Sequence, residues 1–171
     1  MMKPLSEGAN TQRAIEIISK GAFLTTAFAG KVNTMTIGWG QIGVIWYRDI
    51  FNVLIRPSRY TYQLIEKNGE FTISLPLEHE KFAEALRICG IESGKNQDKI
   101  AKCGLSLAAG RKVSTPVIAG CGLHYECRVV YKQPMTNPII DDIQKTYYPN
   151  GDYHTMYFAE IVACYLENNE R

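Results

Sequence analysis

The sequence predicts a mainly β chain, an antiparallel barrel, closed or partly closed, with flanking helices. Three observations lead there. Apolar, β-favouring runs recur from Ala22 to Leu166. Only two or three helical periodicities interrupt them. Strands and helices do not alternate strictly, which excludes a doubly wound parallel sheet.

Taken in order, Thr11–Lys20 reads as a short helix or an irregular lead-in. Ala22–Ala29 is strand-like, and Gly30-Lys31 supplies a turn. Val32–Trp39 resumes as a strand, Gln41–Tyr47 reads as a short continuation, and Arg48-Asp49 as another turn. Phe51–Arg56 is the next strand. A helix opening at Ser58 then runs to Asn68-Gly69, a good C-terminal stop. Phe71, Ile73 and Leu75 alternate with Thr72 and Ser74, a half-buried strand closed by Pro76. Phe82, Leu86 and Cys89 recur at helical spacing, so Glu78–Cys89 is a helix. Gly90–Arg111 is loop-rich, with one short helix over Asp98–Cys103. Leu123–Tyr131 is a strand with Tyr125, Cys127, Val129 and Tyr131 on one face. Gln133–Gly151 reads as loop. Thr155–Leu166 closes the chain as a long strand, with Tyr157, Ala159, Ile161, Ala163 and Tyr165 on one side.

The 171 residues, 46% hydrophobic, suit one domain over 1–171 with a real core. A formal net charge of +2 without a block of like charge argues against a dedicated nucleic-acid binder. No apolar run approaches the ~20 residues of a membrane span. The polar start, Met1–Asn10, does not read as a signal peptide, so a cytoplasmic protein without membrane or nucleic-acid partners is expected. Five cysteines at irregular spacings form no Cys-x-x-Cys pair, and the three histidines are scattered; neither a zinc site nor a dithiol motif is suggested. Cys127 and Cys164 lie in apolar runs and read as small hydrophobes.

Chemistry concentrates in Ile55–Leu64. Pro57 holds Arg56 extended, Ser58 suits an N-cap, and Tyr60, Leu64 and Ile65 follow at helical spacing. Arg56, Arg59, Ser58 and Thr61 flank a helix N-terminus, whose free N–H groups and dipole favour an anion such as a phosphate. The competing reading is a capped helix with two solvated arginines, since no Gly-rich loop is present. A second constellation, Asn33-Thr34-Met35-Thr36-Ile37-Gly38-Trp39-Gly40, mixes short polar groups with a methionine and a tryptophan. Such a strand suits a flat heteroaromatic ligand, or else it is an edge strand with one core Trp.

Asn33-Thr34-Met35-Thr36 with Trp39, then Arg56-Pro57-Ser58-Arg59-Tyr60-Thr61-Tyr62, closely resemble the flavin reductase-like, flavoredoxin-type family of FMN-binding split barrels. The resemblance continues through Glu70–Pro76, Cys89–Lys95 with Asp98-Lys99, Leu123–Val129 and His154–Val162, in order along nearly the whole chain. It implies a six-stranded antiparallel split β-barrel and a homodimer with FMN near the subunit interface. It assigns Arg56, Ser58, Arg59 and Thr61 to the FMN phosphate, and Asn33, Met35, Thr36 and Trp39 to the ring and ribityl chain. Lys95 and Lys99 correspond to basic family positions near the flavin, the alternative being solvated surface lysines. His154 falls near the cofactor mouth, or is a capping or surface histidine. Where many relatives carry a Pro-Pro pair, this chain has Tyr47-Arg48-Asp49-Ile50.

The activity so implied is hydride transfer from NAD(P)H to FMN and on to a small or protein acceptor. The absent Gly-x-Gly-x-x-Gly does not count against it, because this family does not use one. The alternative is a flavoredoxin-like carrier that takes electrons from a partner protein, with slow NAD(P)H turnover.

Overall fold

A computed structural model describes residues 8–136 and 140–167. Helix α1 (Gly8–Ile18) leads into β1 (Ala22–Phe28) and β2 (Lys31–Ile37). Strands β3 (Gly40–Ile45) and β4 (Arg48–Ile55) precede α2 (Tyr60–Asn68), β5 (Glu70–Pro76) and α3 (His79–Ile91). Then come α4 (Lys99–Lys102), the short pair β6 (Leu107–Ala108) and β7 (Val117–Ile118), β8 (Gly122–Pro134), α5 (Asp141–Tyr147) and β9 (Thr155–Leu166). The main sheet has seven strands in the order β2-β1-β5-β8-β9-β4-β3, every neighbouring pair antiparallel. The mainly-β antiparallel class with flanking helices is therefore present.

The strand count differs from the expected six, and the reason is local. Gly40–Ile45 does not continue β2; it pairs with β4 at the opposite edge of the sheet. Only Gly38 and Trp39 separate the end of β2 from the start of β3. Two residues span at most about 11 Å. The sheet must therefore curl until its two edges meet at that corner, although no ladder closes them. Ala22, Leu24, Met35, Ile37, Phe51, Val53, Ile73, Tyr125 and Tyr157, from six of the strands, share one buried cluster inside the curl. Ala14 and Ile18 of α1 cap that cluster, so the lead-in is helical.

Two turns fall one or two residues earlier than expected. Ala29 and Gly30, not Gly30 and Lys31, carry positive φ between β1 and β2. Trp46 and Tyr47, not Arg48 and Asp49, turn β3 into β4, both at φ 56. A two-residue hairpin needs left-handed backbone at both positions to match strand twist, at a cost of about 1–2 kcal/mol for each side chain with a Cβ. The Trp46 ring rests against Tyr131 and Phe158 and offsets part of that cost.

The long strands do not keep one face. Register shifts between Glu126/Cys127 and Val129/Tyr131 insert bulges in the β8–β9 ladder. A one-residue shift flips every later side chain. Thus Tyr157 and Ala159 lie in the core, but beyond the bulge Cys164 faces it and Ala163 and Tyr165 do not, against the expected alternation. Tyr165 instead donates its hydroxyl to buried Glu126. Likewise Tyr131 is exposed.

Helix α3 packs outside the curl, where Phe82, Leu86 and Cys89 meet Phe23 of β1. Strand β1 is therefore buried on both faces. The segment expected to be loop, Gln133–Gly151, contains α5 and the end of β8.

Candidate functional site at the split

The corner where the sheet edges meet opens into two cavities of about 150 Å³ and 270 Å³. They share Met35, Arg56 and Arg59 in their walls and so adjoin each other. Of the ten residues singled out from sequence, Asn33, Met35, Thr36, Trp39, Arg56, Ser58, Arg59, Thr61 and Lys99 line this space. Lys95 does not. It lines an adjoining groove instead.

Strand β2 supplies the inner wall. Met35 is buried, while Thr36 donates its hydroxyl to the Leu86 carbonyl at 2.6 Å and ties β2 to α3. Asn33 Nδ2 donates to Thr61 Oγ1 at 2.8 Å, locking β2 to the first turn of α2. Gly94 lies so close that a Cβ there would stand 1.8 Å from Asn33 Oδ1. The loop after α3 can follow the wall only with a glycine at that point.

At the start of α2 the capping residue is Arg59, with no side-chain cap bond. Ser58, expected as the cap, instead donates to Asp152 Oδ2 at 2.6 Å. The reason is the tight turn after Pro57, closed by Arg59 N–H donating to the Arg56 carbonyl at 3.0 Å. It moves the helix start beyond Ser58. The first N–H groups of α2 therefore carry no side-chain cap, in a cavity lined by Tyr60 and Thr61.

The cations here lean on carbonyls more than on acids. Arg56 donates to the Asp152 and Tyr147 carbonyls at 2.8 Å each and stands 5.1 Å from the Tyr148 ring centroid. Its nearest carboxylate is Asp152, at 4.0 Å. Arg59 donates to the Gly90 carbonyl at 2.7 Å. Lys99, only 4% exposed, donates to the Cys89 and Glu92 carbonyls. Burial pushes its pKa down, with Arg59 adding to that effect against nearby Cys and Glu groups. The site is net positive: Arg56, Arg59 and Lys99 stand against Asp152 and Glu92, and Glu92 is held by Lys102.

At the other end, Trp39 packs edge-on to Tyr147 at 5.1 Å and against His154 at 5.3 Å. His154 is 8% exposed and shares a hydrogen bond with Tyr148 Oη at 2.8 Å. Burial, reinforced by Arg56, lowers its pKa to about 4, so the ring is neutral at neutral pH. His154 was noted in the sequence without a settled role. Leu54, Tyr148 and Asp152 were not singled out at all. The β4–β9 pairing and the α5–β9 loop bring them here, contacts between positions about 100 apart with no local signal.

This arrangement places a basic, uncapped helix start beside an aromatic and apolar wall. The description of the flavin reductase like domain matches residues 16–171. The chain belongs to that family.

Among relatives of this flavin reductase-like chain, an uncharacterized protein of Archaeoglobus fulgidus is 32% identical over 108 residues, 63% of this chain and 59% of that protein. The chain spans between 40% and 65% of the lengths of the archaeal relatives it matches. Among solved structures, the flavoredoxin of Methanosarcina acetivorans is 26% identical, with a TM-score of 0.66 over 88% of this chain and 70% of that one. The NADH:FAD oxidoreductase of Streptomyces globisporus shares the fold at 16% identity, with a TM-score of 0.66 over 86% of this chain and 74% of that one.

Proposed function

We propose that this chain binds FMN in the split cavity and serves as an oxidoreductase that moves hydride from NAD(P)H to the flavin, and then to a small or protein acceptor. The observation that carries the reading is the convergence of nine motif residues on two adjoining cavities, one with anion donors and the other with aromatic groups. Both halves of FMN find a matching environment. Uncapped N–H groups of α2, with Arg59, Ser58 and Thr61, suit a phosphate. Met35, Leu54 and Trp39 suit the faces of a flat ring. The close approach of Gly94 to Asn33 leaves the cavity wall without a side chain at that point, as a ligand cradle requires.

Bound FMN would supply the group that accepts the hydride. The residues supply the rest. Arg59 and the start of α2 anchor the anionic end and so fix the depth of the ring. Thr36 and Asn33, bonded to α3 and α2, keep the wall rigid. Lys99 brings positive charge to a dry part of the phosphate end, where it favours a bound anion. His154 and Tyr148, joined through His154 Nδ1, hold a proton at the mouth without adding charge. The reading takes the chain as a single domain and takes it to act as a homodimer. In support, Val44, Trp46 and Tyr47 on the β3–β4 hairpin are exposed, and nearby Asn52 Oδ1 is buried without a hydrogen-bond partner.

The likeness to a flavoredoxin favours a second reading, an FMN electron carrier with little NAD(P)H turnover. One experiment separates them: anaerobic absorbance titration of the FMN-saturated protein with NADH and then NADPH. A flavin band near ~450 nm that bleaches within seconds supports the reductase and identifies its donor. A band that persists until dithionite is added supports the carrier. Absence of FMN binding overturns both.

A further inference from the structure

The fold brings two thiols together behind the phosphate end of the cavity, outside the residues that line it. Cys89 lies in the last turn of α3 and is fully buried, while Cys103 follows α4 as its C-cap and is half-buried. Both are free thiols. They pack into the cluster of Phe23, Phe82, Leu86, Ile118 and Cys121, and the two side chains lie close enough to interact directly. No spacing motif marks the pair, because the segment Gly90–Lys102 separates the two cysteines in sequence.

That segment forms one wall of the phosphate cavity. Its Ile91, Glu92, Ser93, Gly94 and Lys99 line the space, and the Gly90 carbonyl holds Arg59. Lys99 is joined to both cysteines: its ammonium donates to the Cys89 carbonyl at 3.2 Å, and its own carbonyl accepts the Cys103 N–H at 3.0 Å. The two thiols differ in exposure and therefore in role. Burial pushes the Cys89 thiol up to about 12 against the opposing charge of Lys99, so it stays protonated at neutral pH. A nucleophilic sulphur must be a reachable thiolate, which leaves Cys103 as the one an oxidant meets first.

We propose that Cys89 and Cys103 form a reversible dithiol–disulfide site, oxidised by hydroperoxides, whose closure loosens the phosphate end of the cavity. The Cys103 sulphur attacks the outer peroxide oxygen; the O–O bond breaks, and the thiol proton leaves with the alcohol or water released. The Cys89 sulphur then attacks the sulfenic sulphur of Cys103; the S–O bond breaks, and hydroxide departs with the Cys89 proton as water. The two thiols give up two electrons and the peroxide takes them. A dithiol reductant restores both thiols by exchange. Bonded sulphurs stand about 2 Å apart, well inside thiol contact distance. Cys89 is fixed in its packed cluster, so the bond draws in Cys103 and α4 and displaces Lys99 from the Cys89 and Glu92 carbonyls. The sulphur chemistry needs no cofactor; its effect on binding rests on the flavin reading above.

Treating the flavin-free protein with a small excess of hydrogen peroxide, then mapping its peptides by mass spectrometry, tests the site. The expected product is lighter by two hydrogens, with the Cys89 and Cys103 peptides joined, and dithiothreitol restores the starting mass. Fluorescence titration should give the oxidised protein a Kd for FMN about three- to tenfold higher than the reduced protein, recovered on reduction. Cys103→Ser should bind FMN as the reduced wild type does and lose the response to peroxide. A disulfide between Cys127 and Cys164 instead, or cysteines carried only to sulfinic or sulfonic acid, would overturn the proposal. So would a closed Cys89–Cys103 bond that leaves FMN affinity unchanged. Failure of the reduced protein to bind FMN removes the flavin reading and the effect on binding with it, while the peptide map decides the disulfide by itself.

Discussion

The hydroxyl of Ser58 donates to the carboxylate of Asp152 at 2.6 Å, joining the turn before α2 to the loop before β9. The Asp152 carbonyl also accepts from Arg56. An acid thus lies among the groups suited to a phosphate, and an incoming dianion must displace or tolerate it. Asp152→Asn keeps the side-chain shape and removes the charge. Its FMN affinity is expected to rise roughly three- to tenfold, on the order of 1 kcal/mol, in a fluorescence titration at low salt. Weaker binding would mean that Asp152 organises the site and does not compete for it.

Arg59 is expected to carry more of the phosphate affinity than Arg56, because Arg56 gives two donors to carbonyls and sits beside the Asp152 carboxylate, whereas Arg59 gives one donor to a carbonyl. Arg59→Ala should weaken FMN by roughly tenfold to a hundredfold, the range of a lost charge-assisted bond of about 1.5–3 kcal/mol. Riboflavin, which lacks the phosphate, serves as the control and should bind both proteins alike. An unchanged FMN affinity would sink the phosphate assignment.

Gly94 has no room for a side chain against Asn33. Gly94→Ala should force the loop or Asn33 aside, breaking the Asn33–Thr61 bond. Thermal unfolding is expected to show a loss of about 1–3 kcal/mol, as for other overpacked sites, together with reduced flavin affinity. Wild-type stability and binding together would refute the close approach.

His154 titrates with a known sign. Its pKa falls from 6.5 to about 4 in the folded protein, so folding opposes its protonation. Its contribution is complete above pH 6.5 and is lost as pH falls through that window. His154→Gln should remove an acid-side loss on the order of 2 kcal/mol, after allowance for screening at the cavity mouth. Denaturation of both proteins between pH 7 and about pH 4 measures the difference. Parallel curves would mean that the ring has the same pKa in the folded and unfolded states.

Much of this protein was legible one residue at a time. Alternation marked Phe71, Ile73 and Leu75 as a strand, and Gly69, at φ 68, ends α2 where expected. The motif residues from Asn33 to Trp39 and from Arg56 to Thr61 marked the walls of the cavity. These are local properties: side-chain period, backbone freedom and donor type depend on a residue and its near neighbours. The bulges in the β8–β9 ladder were not legible, because a one-residue slip leaves composition unchanged while reversing every face beyond it. Nor was the left-handed turn at Trp46 and Tyr47, where ring contacts with Tyr131 and Phe158 outweigh backbone preference.

The sequence by itself determined the mainly-β antiparallel class, the family and nine of the residues that line the cavity. Tertiary structure decided which partners those residues have. It carried Gly38-Trp39 across the split, set Asp152 on Ser58, brought His154 and Tyr148 to Trp39, and moved Lys95 into the neighbouring groove. Such contacts join chain segments far apart in sequence. They are fixed by how the sheet curls and how its ladders register, and no single stretch of sequence carries that information.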